Sequence, residues 1–139
     1  MLRFREEATM PTATGTFEIT GMHEDPWHQD DDEPRLTRAG GTQQFSGDIQ
    51  GDGVVEWVAC YGDTGARLVG LQHIHGTIDG HSGAFVIEAT SDHDGKQSSG
   101  SWKVVGGSGS GELAGIAGSG GFEAAGGRSV SYRLDYELR

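Results

Sequence analysis

Apolar and polar residues alternate at every second position through most of this chain. The clearest case closes the sequence: Val130, Tyr132, Leu134, Tyr136 and Leu138 share one face, and Ser129, Ser131, Arg133, Asp135, Glu137 and Arg139 the other. A two-residue period of this kind marks a half-buried antiparallel strand. Residues 12–20 repeat it, with Ala13, Gly15, Phe17 and Ile19 opposite Thr12, Thr14, Thr16 and Glu18. The same reading predicts strands over 35–49, 54–61, 66–78 and 84–92, one centred on 101–105 and a short one over 120–124. Gly40-Gly41 inside the second suggests a bulge or sharp bend. Between the first two strands, residues 21–33 are the most polar segment, end in Asp30-Asp31-Asp32-Glu33, and read as a long solvated loop. Asp94-Gly95 marks a hairpin turn, residues 106–111 a flexible connection, and residues 112–116 a single helical turn.

A second pattern is written twice. Gly47-Asp48-Ile49-Gln50-Gly51-Asp52-Gly53 and Gly76-Thr77-Ile78-Asp79-Gly80-His81-Ser82-Gly83 each precede an apolar run that carries a glutamate, Glu56 or Glu88. Glycine reaches positive φ at little cost, so this punctuation suits tight hairpins. About eight antiparallel strands in one small domain form either a closed barrel or a two-sheet sandwich. Strands of roughly 10 to 15 residues are long for a sandwich and natural for a tilted barrel, and closure removes unpaired edges. The expectation is an all-β fold: a single eight-stranded antiparallel β-barrel over 12–139, built as a calycin-type meander, after a flexible N-terminal extension over 1–11.

Composition narrows the partners. The chain has 139 residues, 25 of them glycine, and a formal net charge of -11. Low apolar content with high charge is also the signature of disorder, but disordered segments lack the strand period seen here. The acidic balance argues against nucleic acid, which needs clustered Lys and Arg, and against an anionic membrane surface. No apolar run approaches the ~18 residues of a membrane span. Met1-Leu2-Arg3-Phe4-Arg5-Glu6-Glu7 lacks the apolar core of a signal peptide, and Cys60 is the one cysteine, so the chain reads as cytoplasmic.

Several stretches resemble a small bacterial family known as domain of unknown function 3224. They are Pro34-Arg35-Leu36-Thr37-Arg38-Ala39, Phe45-Ser46-Gly47-Asp48-Ile49, Asp79-Gly80-His81-Ser82-Gly83-Ala84-Phe85, Gly100-Ser101-Trp102-Lys103-Val104-Val105, Gly109-Ser110-Gly111-Glu112-Leu113-Ala114-Gly115-Ile116 and Tyr132-Arg133-Leu134-Asp135-Tyr136. The resemblance runs from about Thr12 to the end. It implies a barrel similar to that of allene oxide cyclase, a fold that also houses cyclases shaping apolar polyene or epoxide substrates. It transfers no catalytic residue. Relatives carry a Glu-Arg pair after Gly-Leu where this chain has Gln72-His73, which weakens any role for a carboxylate at that point.

Candidate chemistry comes from the residues themselves. His73 and His75 lie on one face of a strand, with Asp79, His81 and His93 as further donors, but they lack a second histidine motif and are read as a surface pair. No metal or cofactor is expected. The acidic segment lacks the spacing of a calcium loop; within it, Trp27 would anchor a lid over the barrel mouth. Strand 54–61 is apolar on both faces, one set being Val55, Trp57, Ala59 and Tyr61 and the other Val54, Glu56, Val58 and Cys60. One face lines the lumen and the other packs on a loop or on the partner of a homodimer. If Glu56 and Glu88 point inward, desolvation raises their pKa values and suits them to general acid–base work; the alternative puts both outside. Tyr132 is the candidate to polarise a substrate oxygen. Trp57, Tyr61, Gln72, Trp102, Tyr136 and Trp27 are the candidate ligand-binding side chains. Two functions compete: an isomerase or cyclase acting on one small apolar molecule, and a non-catalytic carrier of such a ligand.

Overall fold

A computed structural model of the chain describes residues 10–124 and 127–139. The expected extension over 1–11 therefore lies outside the described residues except for Met10 and Pro11. Pro11 is tied in, its carbonyl accepting a bond from the Tyr136 amide. The described residues form nine strands: β1 (Thr12–His28), β2 (Arg35–Gly47), β3 (Ile49–Gly62), β4 (Gly65–Ile78), β5 (His81–His93), β6 (Ser98–Val104), the two-residue β7 (Ser110–Gly111), β8 (Ile116–Ala124) and β9 (Ser129–Leu138). All pairings are antiparallel. β1 to β6 pair in sequence, β6 pairs with β8, β8 with β9 and β9 with β1, which closes a ring of eight strands. The expected eight-stranded antiparallel barrel is therefore the fold, with β7 a small addition beside β5.

Three local expectations change. Residues 21–28 are not a loop: they continue β1 and pair with the first half of β2. Nothing in their side chains marks a buried face, because the strand is held by its backbone ladder rather than by burial. Bulges fall on β1 rather than at Gly40-Gly41, with Thr20 and Trp27 the extra residues in its pairing to β2. Residues 112–115 form turns rather than a helix, and they carry the buried Leu113 into the core. Among the described residues no helix is long and apolar enough to cross a membrane.

The barrel has two unlike ends. The base holds the β2–β3 and β4–β5 hairpins, and side chains fill it. Ile49, Ile74, Ile78, Leu113, Ile116 and Leu134 are all at most 2% exposed there. The β4–β5 corner is a two-residue turn in which Asp79 and Gly80 have φ of 49° and 86°. A type I′ hairpin demands positive φ at both, which Asp-Gly supplies at least strain. Above the base lies an aromatic floor of Phe17, Phe45, Trp102, Phe122 and Tyr132, with Phe17–Phe45 and Trp102–Tyr132 centroids 5.0 and 5.5 Å apart. Beyond it the barrel opens toward the β3–β4, β5–β6 and β8–β9 connections.

Candidate functional site

The open half of the barrel encloses a cavity of about 550 Å³, within the range of small-molecule sites. Phe17, Ile19, Val55, Trp57 and Phe122 supply much of its apolar wall, and Ala89 and Gly70 leave room between them. Parity selects these residues. In β3 the buried or half-buried positions are Ile49, Gly51, Gly53, Val55, Trp57, Ala59 and Tyr61, whereas Asp52, Val54, Glu56, Val58 and Cys60 are exposed.

Two carboxamides stand in the wall. Gln43 of β2 is 2% exposed and Gln72 of β4 is 4% exposed. Neither Nε2 nor Oε1 of Gln43 has a hydrogen-bond partner in the protein, and neither does Oε1 of Gln72. They flank β3, because Gln43 pairs with Gly53 and Gln72 with Val55, successive inward positions of that strand. Gly53 makes the arrangement fit: a methyl group there would lie 2.6 Å from Gln43 Oε1 and 3.0 Å from the Phe45 ring. Unpaired buried amides are uncommon in folded proteins, since each costs about 1–3 kcal/mol.

The expected site residues divide sharply. Trp57 and Gln72 line the cavity together. Trp102 lies in the floor, 1% exposed, with its indole Nε1 unpartnered. Tyr61 is also on the inner side, but its hydroxyl donates to Glu24 and the Arg35 guanidinium sits 4.4 Å above its ring. Hydrogen bonding from Tyr61, then from Thr37, holds the Glu24 carboxyl below its ordinary pKa despite partial burial, so it is no poised base. Trp27 does not cap the mouth: it sits at a β1 bulge, 53% exposed, beneath the Arg38 guanidinium at 5.7 Å.

Both glutamates face out. Glu56 pairs with Leu71 and Leu71 with Glu88, so the two carboxylates flank an exposed leucine on the outer surface. Strand parity is the reason, for each lies one residue from an inward side chain, Val55 or Ile87. A lumenal acid–base role for either is thereby overturned. Val54 and Val58, on the face of strand 54–61 expected to pack on a loop or partner subunit, are exposed, and Val69 and Leu71 of β4 lie beside them on the outer surface, each of the four at least 38% exposed.

The tyrosines of β9 do face inward, but toward the base. Tyr132 donates to the Ser46 carbonyl at 2.9 Å and accepts from the Ile49 amide at 2.9 Å, pinning the β2–β3 corner. Burial pushes its hydroxyl above the ordinary pKa. Tyr136 donates to the Asp79 carboxylate, pinning the β4–β5 corner; burial first, then that bond, push it up to about 12. Their hydroxyls are spent on the two repeated hairpins, which corrects the expected roles of Tyr132 in catalysis and Tyr136 in ligand contact. His73 and His75 are exposed with ring centroids 5.9 Å apart, and no cluster of three or more metal-ligating side chains occurs among the described residues.

Gln43 is the site residue that the sequence reading missed. Its signal was parity with Phe45 and Ala39, which are buried on the same face of β2.

The family model described as "Protein of unknown function (DUF3224)" matches residues 13–136. The chain belongs to this family. A crystal structure of a DUF3224 protein of unknown function from Shewanella oneidensis MR-1 is similar to it in fold. The match has a TM-score of 0.76 at 20% identity and covers 94% of this chain and 98% of that one. No curated protein matches the chain. In this DUF3224 protein, then, the cavity and its two carboxamides are the features from which a function must be argued.

Proposed function

We propose that this DUF3224 protein binds one small, largely apolar molecule in the open half of its barrel, as a carrier or sensor rather than an acid–base enzyme. The observation that carries the reading is the cavity of about 550 Å³ above a closed aromatic floor, walled by apolar side chains and by two buried carboxamides, Gln43 with neither polar atom partnered and Gln72 with its Oε1 unpartnered. Burial of apolar ligand surface there supplies the driving force, and a preformed wall limits the ordering cost. Among the described residues lining the cavity, Arg128 at the rim is the one titratable side chain. A cyclase of the allene oxide cyclase type would have to work here by restricting substrate conformers, since the lining supplies no carboxylate to move a proton.

The test is titration of the purified protein with N-phenyl-1-naphthylamine, whose emission rises in apolar surroundings. Saturable one-to-one binding is expected, with at least a tenfold loss in Ala89→Phe, which puts a ring into the cavity opposite Gly70. Absence of saturable binding, or binding indifferent to Ala89→Phe in a folded variant, refutes the reading.

A further inference from the structure

We propose that the ligand of this cavity carries a neutral group that donates and accepts hydrogen bonds side by side, a carboxamide or lactam, and that Gln43 and Gln72 recognise it. The inference rests on the cavity being a ligand site and goes on to name the chemistry of the ligand's inner end.

Gln43 is buried with neither end of its carboxamide partnered. A carboxamide has two N–H donors and one carbonyl acceptor in a single plane. In Gln43 both the nitrogen and the oxygen are buried without a partner, so exchanging the two in the assigned orientation leaves the same demand. A group that satisfies both ends at once must itself present a donor beside an acceptor. Primary amides and lactams do so in the plane of the Gln43 amide. Esters and ethers offer acceptors alone, and hydrocarbons offer neither. The buried Gln72 Oε1 provides a second acceptor from the other side of β3, which favours a ligand with N–H to spare.

Charge sharpens the choice. No Asp, Glu, Lys or His lies among the described residues lining the cavity, and Arg128 is an exposed rim residue. A carboxylate or ammonium carried down to the glutamines would be buried without a counter-charge, at a large desolvation cost. The neutral amide needs none. Phe17, Trp57 and Phe122 then offer apolar and aromatic surface to a flat ring system attached to it.

The test uses naphthalene-1-carboxamide, methyl naphthalene-1-carboxylate, naphthalene-1-carboxylate and 1-naphthylmethylammonium, each titrated calorimetrically into the wild-type chain and into Gln43→Met/Gln72→Met. The decisive quantity is the affinity ratio of carboxamide to ester, because its change between the two proteins cancels the differing hydration of the probes. It is expected to fall about tenfold or more in the double variant, as two or more hydrogen bonds to otherwise unpaired groups are lost. Gln72→Met alone is expected to give a fall of about threefold, which keeps the test decisive if the double variant does not fold. A ratio that changes by less than twofold overturns the inference and leaves the cavity reading standing. So does tightest binding by the carboxylate, which would put recognition at Arg128. If none of the four probes binds the wild-type protein, the cavity reading falls, and this inference falls with it.

Discussion

Replacing Gln43 by methionine should make the ligand-free protein more stable. Methionine is unbranched like glutamine, so it can follow the same path across Gly53, and its thioether asks for no strong hydrogen bond. The carboxamide it replaces is 2% exposed with neither polar atom paired, in a position where each unmet group costs about 1–3 kcal/mol. A near-isosteric apolar exchange in a packed wall typically loses less than about 1.5 kcal/mol through imperfect fit. The two unmet groups together outweigh that loss even at the low end, and a gain of about 1–3 kcal/mol is expected. For a chain of 139 residues, each kcal/mol moves Tm by roughly 3–4 °C, so a rise of about 3–12 °C is expected. Urea unfolding followed by tryptophan emission checks it: the midpoint should rise while the slope m stays fixed. An unchanged or lower midpoint at constant m would show that the Gln43 carboxamide is fully satisfied in the free protein. That result would remove the physical ground on which its role in recognition rests.

Three further outcomes follow from the base and the outer surface. Tyr132→Phe should destabilise by about 2 kcal/mol in urea unfolding, because the Ser46 carbonyl and Ile49 amide lose their shared partner. Tyr136→Phe should cost about 1–2 kcal/mol at pH 8. Its hydroxyl is raised to about 12 by burial and by Asp79, so the stability it lends is complete below the unfolded value near 10 and is lost as pH climbs from 10 to about 12. The gap between wild type and Tyr136→Phe should therefore narrow across that window in unfolding curves, and a constant gap would refute the assignment. Glu56→Gln and Glu88→Gln, both on the exposed outer face, should change stability by less than about 0.5 kcal/mol and leave N-phenyl-1-naphthylamine affinity within twofold of wild type.

The barrel was legible because alternation is a backbone-level signal. Once Val130 to Leu138 and Ala13 to Ile19 set the period, the turns fixed the strand count and closure followed from the cost of bare edges. Facing was harder. In β3 both faces are apolar, and Val54 and Val58 on the outside look as core-like as Val55 and Trp57 on the inside. The glutamate that follows each hairpin therefore could not be oriented from its neighbours alone, yet Ile49 shares parity with Val55 and a corner residue of the base must face inward. The β1 extension from Gly21 to His28 was illegible for a different reason: its pairing to β2 is made by backbone groups, which every sequence possesses.

The repeated hairpins and the two glutamines divide the work of one barrel between its ends. At the base, each copy of the Gly-x-Ile-x-Gly pattern delivers an isoleucine, Ile49 or Ile78, into the core and receives a tyrosine hydroxyl from β9. Packing and polar satisfaction agree there, as expected where stability is secured. Above the aromatic floor they disagree. Apolar walls surround the Gln43 carboxamide, which nothing in the chain satisfies, and the unpartnered Gln72 Oε1, although a strand residue two positions from Phe45 could as readily have been leucine. A local conflict of this kind lowers stability without improving the fold, and such conflicts concentrate at functional sites. Two of them on either side of one strand, beside a cavity of ligand size, are explained together by a molecule that brings the missing donors and acceptor with it.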